Sequence, residues 1–177
     1  MALSPYIVTK GVVLRETETR DADKILTLLT AERGKLSVIA RGVCRKGCKF
    51  AACAQPLAYS EWTLYKKGDW YYANEGATLE LFNGLRADLD AMALGFYLAE
   101  LTEFVTGEEN PAPELLRLLL NGLYALAKLN KDPALVKPAS IMVISREKPA
   151  GRRPVSRMYA ISLPYCSGAC RWLPLSP

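Results

Sequence analysis

The chain contains no histidine. This removes imidazole as general acid or base, the Ser-His-Asp and Cys-His nucleophilic arrangements, and every histidine metal ligand. Long apolar runs are also missing, since none approaches the roughly 20 residues of a membrane helix. The opening MALSPYIVTKG has no basic stretch leading into an apolar one, so no secretory signal is expected. Phosphate-cradling patterns are absent as well. There is no G-x-G-x-x-G, and although Gly42 and Gly47 have the P-loop separation, Cys48 stands where the phosphate-binding lysine belongs. Asp21 and Asp23 lie close together without a third carboxylate and read as turn residues. With no catalytic set left, the chain is expected not to be an enzyme.

Cysteine is present but poorly placed for metal. The five cysteines, at 44, 48, 53, 166 and 170, give the spacings C-x3-C-x4-C and C-x3-C. Zinc ribbons favour C-x2-C pairs, whose tight turn aims both thiolates at one ion. An odd count without a secretion signal points to free thiols in a reducing, cytoplasmic setting and to no metal site.

What is present is a core and an uneven charge. Half of the 177 residues are apolar, enough for a packed domain. Residues 1–50 carry 10 basic and 5 acidic side chains, a net +5, whereas 81–137 carry 5 and 8, a net −3. From Arg33 to Lys49 there are six cations and no anion. Such a run attracts polyanions, although an ordinary solvated loop can look the same.

Residues 1–80 read as strands. Tyr6, Val8, Lys10, Val12 and Leu14 fall in one alternating row, with Gly11 as a bulge or bend. KILTLLT (24–30), LSVIA (36–40), YSEWTLY (59–65) and a strand opening on WYYA (70–73) follow, joined by turn signals at 31–34 and 66–69 and by a basic loop over 41–56. Five strands with one longer connection after the third fit a partly open OB-type barrel, with an SH3-like barrel as the alternative. From about residue 85 the period becomes 3.6. Leu94, Leu98, Leu101 and Val105 share one helical face and Leu89, Met92, Ala93 and Phe96 the other, so this helix is expected to pack on both sides, with Glu100 and Glu103 closing the second stripe and its later turns meeting water. After Asn110-Pro111-Ala112-Pro113 a second helix is expected over 114–129, with Leu115, Leu119, Gly122, Leu126 and Leu129 inward. Asp132-Pro133 reads as the start of a third.

The class is therefore α+β: an N-terminal five-stranded OB-fold barrel (1–80), a helical domain (81–137) and an irregular tail (138–177). A barrel with a basic loop and many rings is the combination OB folds use for nucleic acid. The candidate contacts are Arg33, Lys35, Arg41, Arg45, Lys46 and Lys49 for phosphates, with Tyr65 and Tyr71 as exposed rings for bases. Trp62 shares the parity of Leu64 and is expected in the core. An RNA-binding module or a protein adaptor would fit the same composition.

Two stretches go further. KGVVLRETETRDADKILTLLTAERGKLSVIARGVCR (10–45) and QPLAYSEWTLYKKGDWYYANEGATLELFNGLRADLDAMALGFYLAELTEF (55–104) closely resemble the RecO family of bacterial recombination mediators and DNA repair proteins. Lys10, Gly11, Leu14, Lys24, Gly34, Arg41, Gly42, Gln55, Pro56, Glu61, Tyr65, Tyr97 and Glu100 carry the match, which spans about residues 5–137. The resemblance implies an OB domain followed by a helical one, binding of single- and double-stranded DNA, and annealing of complementary strands. It also implies cooperation with RecR and remodelling of single-strand binding protein, whose acidic tail the helical region takes up, so that RecA can load. The expected setting is the cytoplasm, at the nucleoid, without membrane contact.

The resemblance stops near Lys137. Many members continue into further helices and a four-cysteine zinc site of C-x2-C pairs, which CSGAC (166–170) does not match. Residues 138–177 hold 6 of the 11 prolines and 6 basic residues against 1 acidic. A low-order basic tail without zinc is expected there. Abrupt loss of match and period is what a shifted reading frame produces; a genuine divergent tail would instead offer a second basic DNA contact.

Overall fold

The computed structural model describes residues 6–19, 22–129, 132–134 and 136. Its first strand, β1 (Tyr6–Glu18), has 13 residues, about twice the usual length, and serves two neighbours. The first half runs antiparallel to β4 (Tyr59–Lys67), from Tyr6 opposite Tyr65 to Val12 opposite Tyr59. The second half runs antiparallel to β2 (Lys24–Thr30), from Gly11 opposite Thr30 to Glu18 opposite Lys24. The two pairings overlap at Gly11 and Val12. A Cβ at Gly11 would stand 2.8 Å from the Leu29 carbonyl oxygen and 3.0 Å from Thr30 Cγ2, so a side chain would push the strands apart. The bulge itself falls between Val13 and Arg15, beyond Gly11.

β3 (Gly34–Ala40) is the hairpin partner of β2. The Thr30 hydroxyl holds the turn: it donates to the Gly34 carbonyl at 3.1 Å and accepts from the Arg33 amide at 3.3 Å. β5 (Trp70–Glu80) returns along β4 through a turn at Gly68 and Asp69. Closure is made by a short parallel contact of β3 with β5, Val38 opposite Tyr71 and Ile39 opposite Tyr72. The barrel order is β1-β2-β3-β5-β4. This order with a parallel closing pair is the OB barrel, not the SH3-like alternative.

Because alternate residues face opposite ways, the strands supply two cores. Val13, Leu26, Leu28, Leu36, Val38, Trp62, Leu64 and Tyr71 fill the barrel. Their neighbours Val12, Leu14 and Leu29 point outward into a second core shared with the helices. The row Tyr6, Val8, Val12, Leu14 is therefore real but not interior. Val8 is 61% exposed, and burial begins only where the helices cover the barrel wall.

A 3-10 turn (Asn83–Ala87) leads into α1 (Leu89–Val105). Asp88 caps α1, its Oδ1 accepting from the Asp90 and Ala91 amides at 2.9 and 3.4 Å. Leu94, Leu98, Leu101 and Val105 are buried as expected. The opposite stripe is not packed among the described residues: Leu89 is 82% exposed and Phe96 38%. The expectation of two-sided packing fails because the buried face is widened by small residues, Ala91, Gly95, Ala99 and Thr102, which let α1 lie close to its neighbours.

α2 (Pro113–Ala127) starts with proline in its first turn and buries Leu115, Leu116, Leu119, Gly122, Leu123 and Leu126. Leu129 lies past its end and is exposed, so it leaves the expected apolar face. Asp132 caps a further turn, its Oδ1 accepting from the Ala134 amide at 2.8 Å.

The α1–α2 connection does more than join helices. β5 reaches only the far half of β3, leaving the edge at Gly34–Ser37 open. The connection lies along that edge: the Lys35 amide donates to the Gly107 carbonyl at 3.4 Å and the Glu109 amide to the Lys35 carbonyl at 3.1 Å. Gly34, at φ +60°, is required here, since a Cβ would collide with the Asn110 backbone. The exposed strand edge is thereby covered.

Expectations for residues 138–177, including low order, the altered frame and the Cys166/Cys170 pair, lie outside the described residues. Among the described residues no helix is long and apolar enough to cross a membrane.

Candidate nucleic-acid interface

The basic segment between β3 and β4 folds as consecutive turns. The amides of Arg45, Cys48, Ala51, Cys53, Gln55 and Ala58 each donate to the carbonyl three residues back. Its root is tied to the β1–β2 turn, where the Gly42 amide donates to Asp23 Oδ1 at 2.6 Å and the Cys44 amide to the Ala22 carbonyl at 3.0 Å. Asp23 is thus a turn residue with an anchoring role. The apolar side of the segment plugs the barrel: Val43, Cys53 and Ala54 are buried, and Phe50 meets Trp62 edge-on at 6.5 Å.

With the apolar side turned in, the charged side turns out. Arg41, Arg45, Lys46 and Lys49 are all exposed, and none forms an ion pair among the described residues. Several described cations elsewhere are held by carboxylates. Lys24 lies 2.8 Å from Glu16, Arg15 3.2 Å from Glu103, Lys66 2.8 Å from Glu109, Arg117 2.7 Å from Glu114 and Lys128 3.1 Å from Glu80. Among the described residues the loop holds the largest group of cations without an ion pair; Arg33 and Lys67 also lack one.

The structure separates the six candidate cations. Arg33 lies in the β2–β3 turn, eight residues of extended chain from Arg41, or about 26 Å. Lys35 is engaged, its ammonium donating to the Glu103 carbonyl at 3.3 Å near the C-terminal end of α1. Arg41, Arg45, Lys46 and Lys49 form the group beside the barrel mouth.

The rings also divide. Tyr65 stands outward and half-buried, but Tyr71 does not: it is 4% exposed, packed in the barrel core. Its hydroxyl donates to Glu109 Oε1 at 2.6 Å, and the Lys66 ammonium lies 5.0 Å from its ring centre. The expectation that Tyr71 presents its face is corrected, because its parity turns it inward. The same contacts explain two shifted titrations. Lys66 hydrogen-bonds Glu109, and with Tyr71 this holds the Glu109 carboxyl below its ordinary range and the Lys66 ammonium above its own. The cleft of about 260 Å³ between Lys35, Lys66, Tyr71 and Glu109 is also lined by Asp69 and Glu108, so carboxylates outnumber lysines there and it makes no anion site.

The outward partner of Tyr65 is Tyr72. They face each other across β4 and β5 and stack at 5.3 Å with 16° between planes. Tyr6 meets Tyr65 edge-on at 6.3 Å across β1 and β4. Arg41 lies over the Tyr72 ring, 4.8 Å from its centre. Trp70, two residues before Tyr72 and paired with Lys67, is 44% exposed. Sequence reasoning picked Tyr65 from this group and missed Tyr6, Trp70 and Tyr72. Trp62 is fully buried, as expected.

The three described cysteines do not gather at one point. Cys53 is buried with its Sγ 3.1 Å from Thr78 Oγ1, Cys48 is half-buried and Cys44 exposed. Among the described residues no three metal-ligating side chains converge.

Comparison with known proteins gives a consistent match. Residues 1–82 match the family described as Recombination protein O N terminal, and residues 86–143 that described as Recombination protein O C terminal. The second match runs past Lys137, where the resemblance was expected to stop. The DNA repair protein RecO of Acetivibrio thermocellus is 36% identical over 128 residues, covering 72% of this chain and 51% of that protein. That of Caldicellulosiruptor bescii is 38% identical over 130 residues, 73% of this chain and 53% of the relative. That of Bacillus subtilis is 33% identical over 127 residues, 72% and 49% respectively. The chain spans about half the length of these relatives.

Proposed function

We propose that this chain, which belongs to the RecO family of DNA repair proteins, binds single- and double-stranded DNA through its barrel and anneals complementary strands without chemistry of its own. Its action is that of a mediator at the nucleoid: with RecR it remodels DNA covered by single-strand binding protein so that RecA can load. The observation that carries DNA binding is the asymmetry of charge pairing. Cations on the helices and on β1 and β2 are held by carboxylates, while Arg41, Arg45, Lys46 and Lys49 project unpaired from a loop braced by the barrel. Unpaired cations can release counterions from a phosphate backbone, which is the main source of DNA affinity.

The acidic helical region suits protein contacts instead. Met92 and Phe96 line a shallow apolar groove with Pro56, Leu81 and Arg86, a surface able to take the acidic tail of single-strand binding protein. The test is direct. Affinity should be measured for oligo(dT), oligo(U) and duplex DNA, with an annealing assay and an ATP-turnover assay in parallel. DNA binding with annealing and no turnover is expected. Preference for oligo(U) without annealing would make this an RNA-binding OB module, and steady ATP turnover would make it an enzyme.

A further inference from the structure

We propose that the outer row Tyr6–Tyr65–Tyr72, with Trp70 beside it, is a stacking platform for unpaired bases and sets the preference of this protein for single strands over duplex. This rests on the DNA-binding reading above and assigns discrimination to rings rather than cations.

The row is built by register. Tyr6 lies opposite Tyr65 and Tyr65 opposite Tyr72, so three neighbouring strands each place a ring at one level of the wall. Two residues nearer the hairpin tip, the pair Lys67 and Trp70 faces the same way. Two steps further from the tip than Tyr6 and Tyr65, on the same face, comes the pair Val8 and Thr63, and then Lys10 with Glu61, a salt bridge at 3.9 Å. The aromatic patch is thus bounded by a neutralised pair on one side and opens on the other toward the unpaired loop cations.

Cross-strand ring pairs do stabilise sheets, and Tyr65 and Tyr72 do so here. That role does not account for the margins. Tyr6 is 47% and Trp70 44% exposed, and the cation over Tyr72 is Arg41, which has no carboxylate partner among the described residues. A guanidinium resting on a ring at the edge of a basic loop can turn to a phosphate as a base takes its place. Stacking on rings requires bases free of their own partners, so duplex gains nothing from it, whereas phosphate contact favours both forms.

The test compares oligo(dT) of about 16 nucleotides, the upper site size for one OB fold, with duplex of equal length, by fluorescence anisotropy at fixed salt. Tyr72→Leu keeps a bulky residue on the sheet but removes the π face. It should weaken oligo(dT) binding about tenfold and duplex binding far less. Tyr72→Phe should recover most of that loss. Arg45→Ala/Lys46→Ala/Lys49→Ala should weaken both forms together and leave their ratio in place. Trp70 fluorescence should be quenched by oligo(dT), and Trp70→Leu should lower the ratio in the same direction. If melting shows that Tyr72→Leu does not fold, Tyr6→Leu, at the exposed start of β1, takes its place with the same expected direction. A folded ring variant with an unchanged ratio overturns this inference and leaves the DNA-binding reading standing. Failure of the unaltered protein to bind either DNA overturns both.

Discussion

The barrel and the helix pair solve the same problem differently. The barrel closes on itself: its strand edges are paired or covered, its interior is filled from all five strands, and its end is plugged by the β3–β4 loop. The helices do not close. They bury one broad face against Val12, Leu14, Leu29 and each other, and leave Leu89, Phe96, Phe104 and Tyr124 on the surface. A self-contained module can spend its surface on charge and rings. A one-sided module leans on its neighbour and keeps apolar surface for something else. Under the function proposed above, the first would meet the nucleic acid and the second a protein.

Strong dependence of the helices on the barrel gives the largest expected effect. Val12 and Val13 are adjacent and both fully buried, one in each core, so neither core survives loss of β1. Trp62→Ala, at the barrel centre, should cost about 3–5 kcal/mol and remove helical circular dichroism in the same transition. Helical signal persisting after the barrel melts would show two independent units. Leu98→Ala in α1 should cost about 2–5 kcal/mol, and Leu89→Ala on its open side under about 0.5 kcal/mol. Equal costs would mean that Leu89 is covered in solution.

The two modules also differ in how much of them is legible in sequence. Strand order and turns follow from period 2 and the turn residues, and hairpin arithmetic carries side-chain direction too. With Lys67 opposite Trp70 across Gly68-Asp69, Tyr65 must meet Tyr72 and Lys66 must meet Tyr71. Trp62 and Leu64 face inward, so Tyr71 does as well, and Tyr72 was the ring to choose. Tyr6 could not be found this way, because its register with β4 is set across about fifty residues of chain by barrel closure. Pairing of cations is likewise illegible. Lys35 looks like Arg41 and Lys46 until α1 is laid beside β3 and its Glu103 carbonyl takes the ammonium. In the helices the apolar stripes are clear, but which of them is covered depends on small residues and on what packs there.

Salt dependence separates the modules next. If the four loop cations contact single-stranded DNA, log affinity should fall with log salt at a slope of about −3. Arg41→Ala/Arg45→Ala/Lys46→Ala should leave a slope of about −0.7 and weaken all sequences alike. Arg117→Ala/Lys128→Ala, which removes cations held by Glu114 and Glu80 on the helical side, should leave the slope unchanged. A slope that responds to the helical pair and not to the loop would move the DNA to the other module.

The smallest effect lies at the seam. Glu109, in the α1–α2 connection, accepts from Lys66 at 2.8 Å and from Tyr71 at 2.6 Å, both on the barrel. Its carboxyl is held below the ordinary range, first by the Lys66 hydrogen bond. Its contribution is therefore complete above the ordinary carboxylate pKa and is lost as pH falls through the lowered value. Lys66 is raised, first by its bond to Glu109, so its contribution is complete below the ordinary ammonium pKa and is lost as pH rises through the raised value. The latch is at full strength across neutral pH and fails at both extremes. Both side chains are about half exposed, so solvent screens the pair and the gain in global stability is small. Glu109→Gln should lower the melting midpoint slightly at neutral pH, and the difference from the unaltered protein should close in acid. Hydrogen exchange reads the seam more sharply. The Lys35 and Glu109 amides, bonded across it, should exchange faster in the variant while the β2–β3 amides hold. Equal acceleration throughout β3 would mean that Glu109 supports the barrel itself, and the line between the two modules would have to be redrawn on the helical side of the connection.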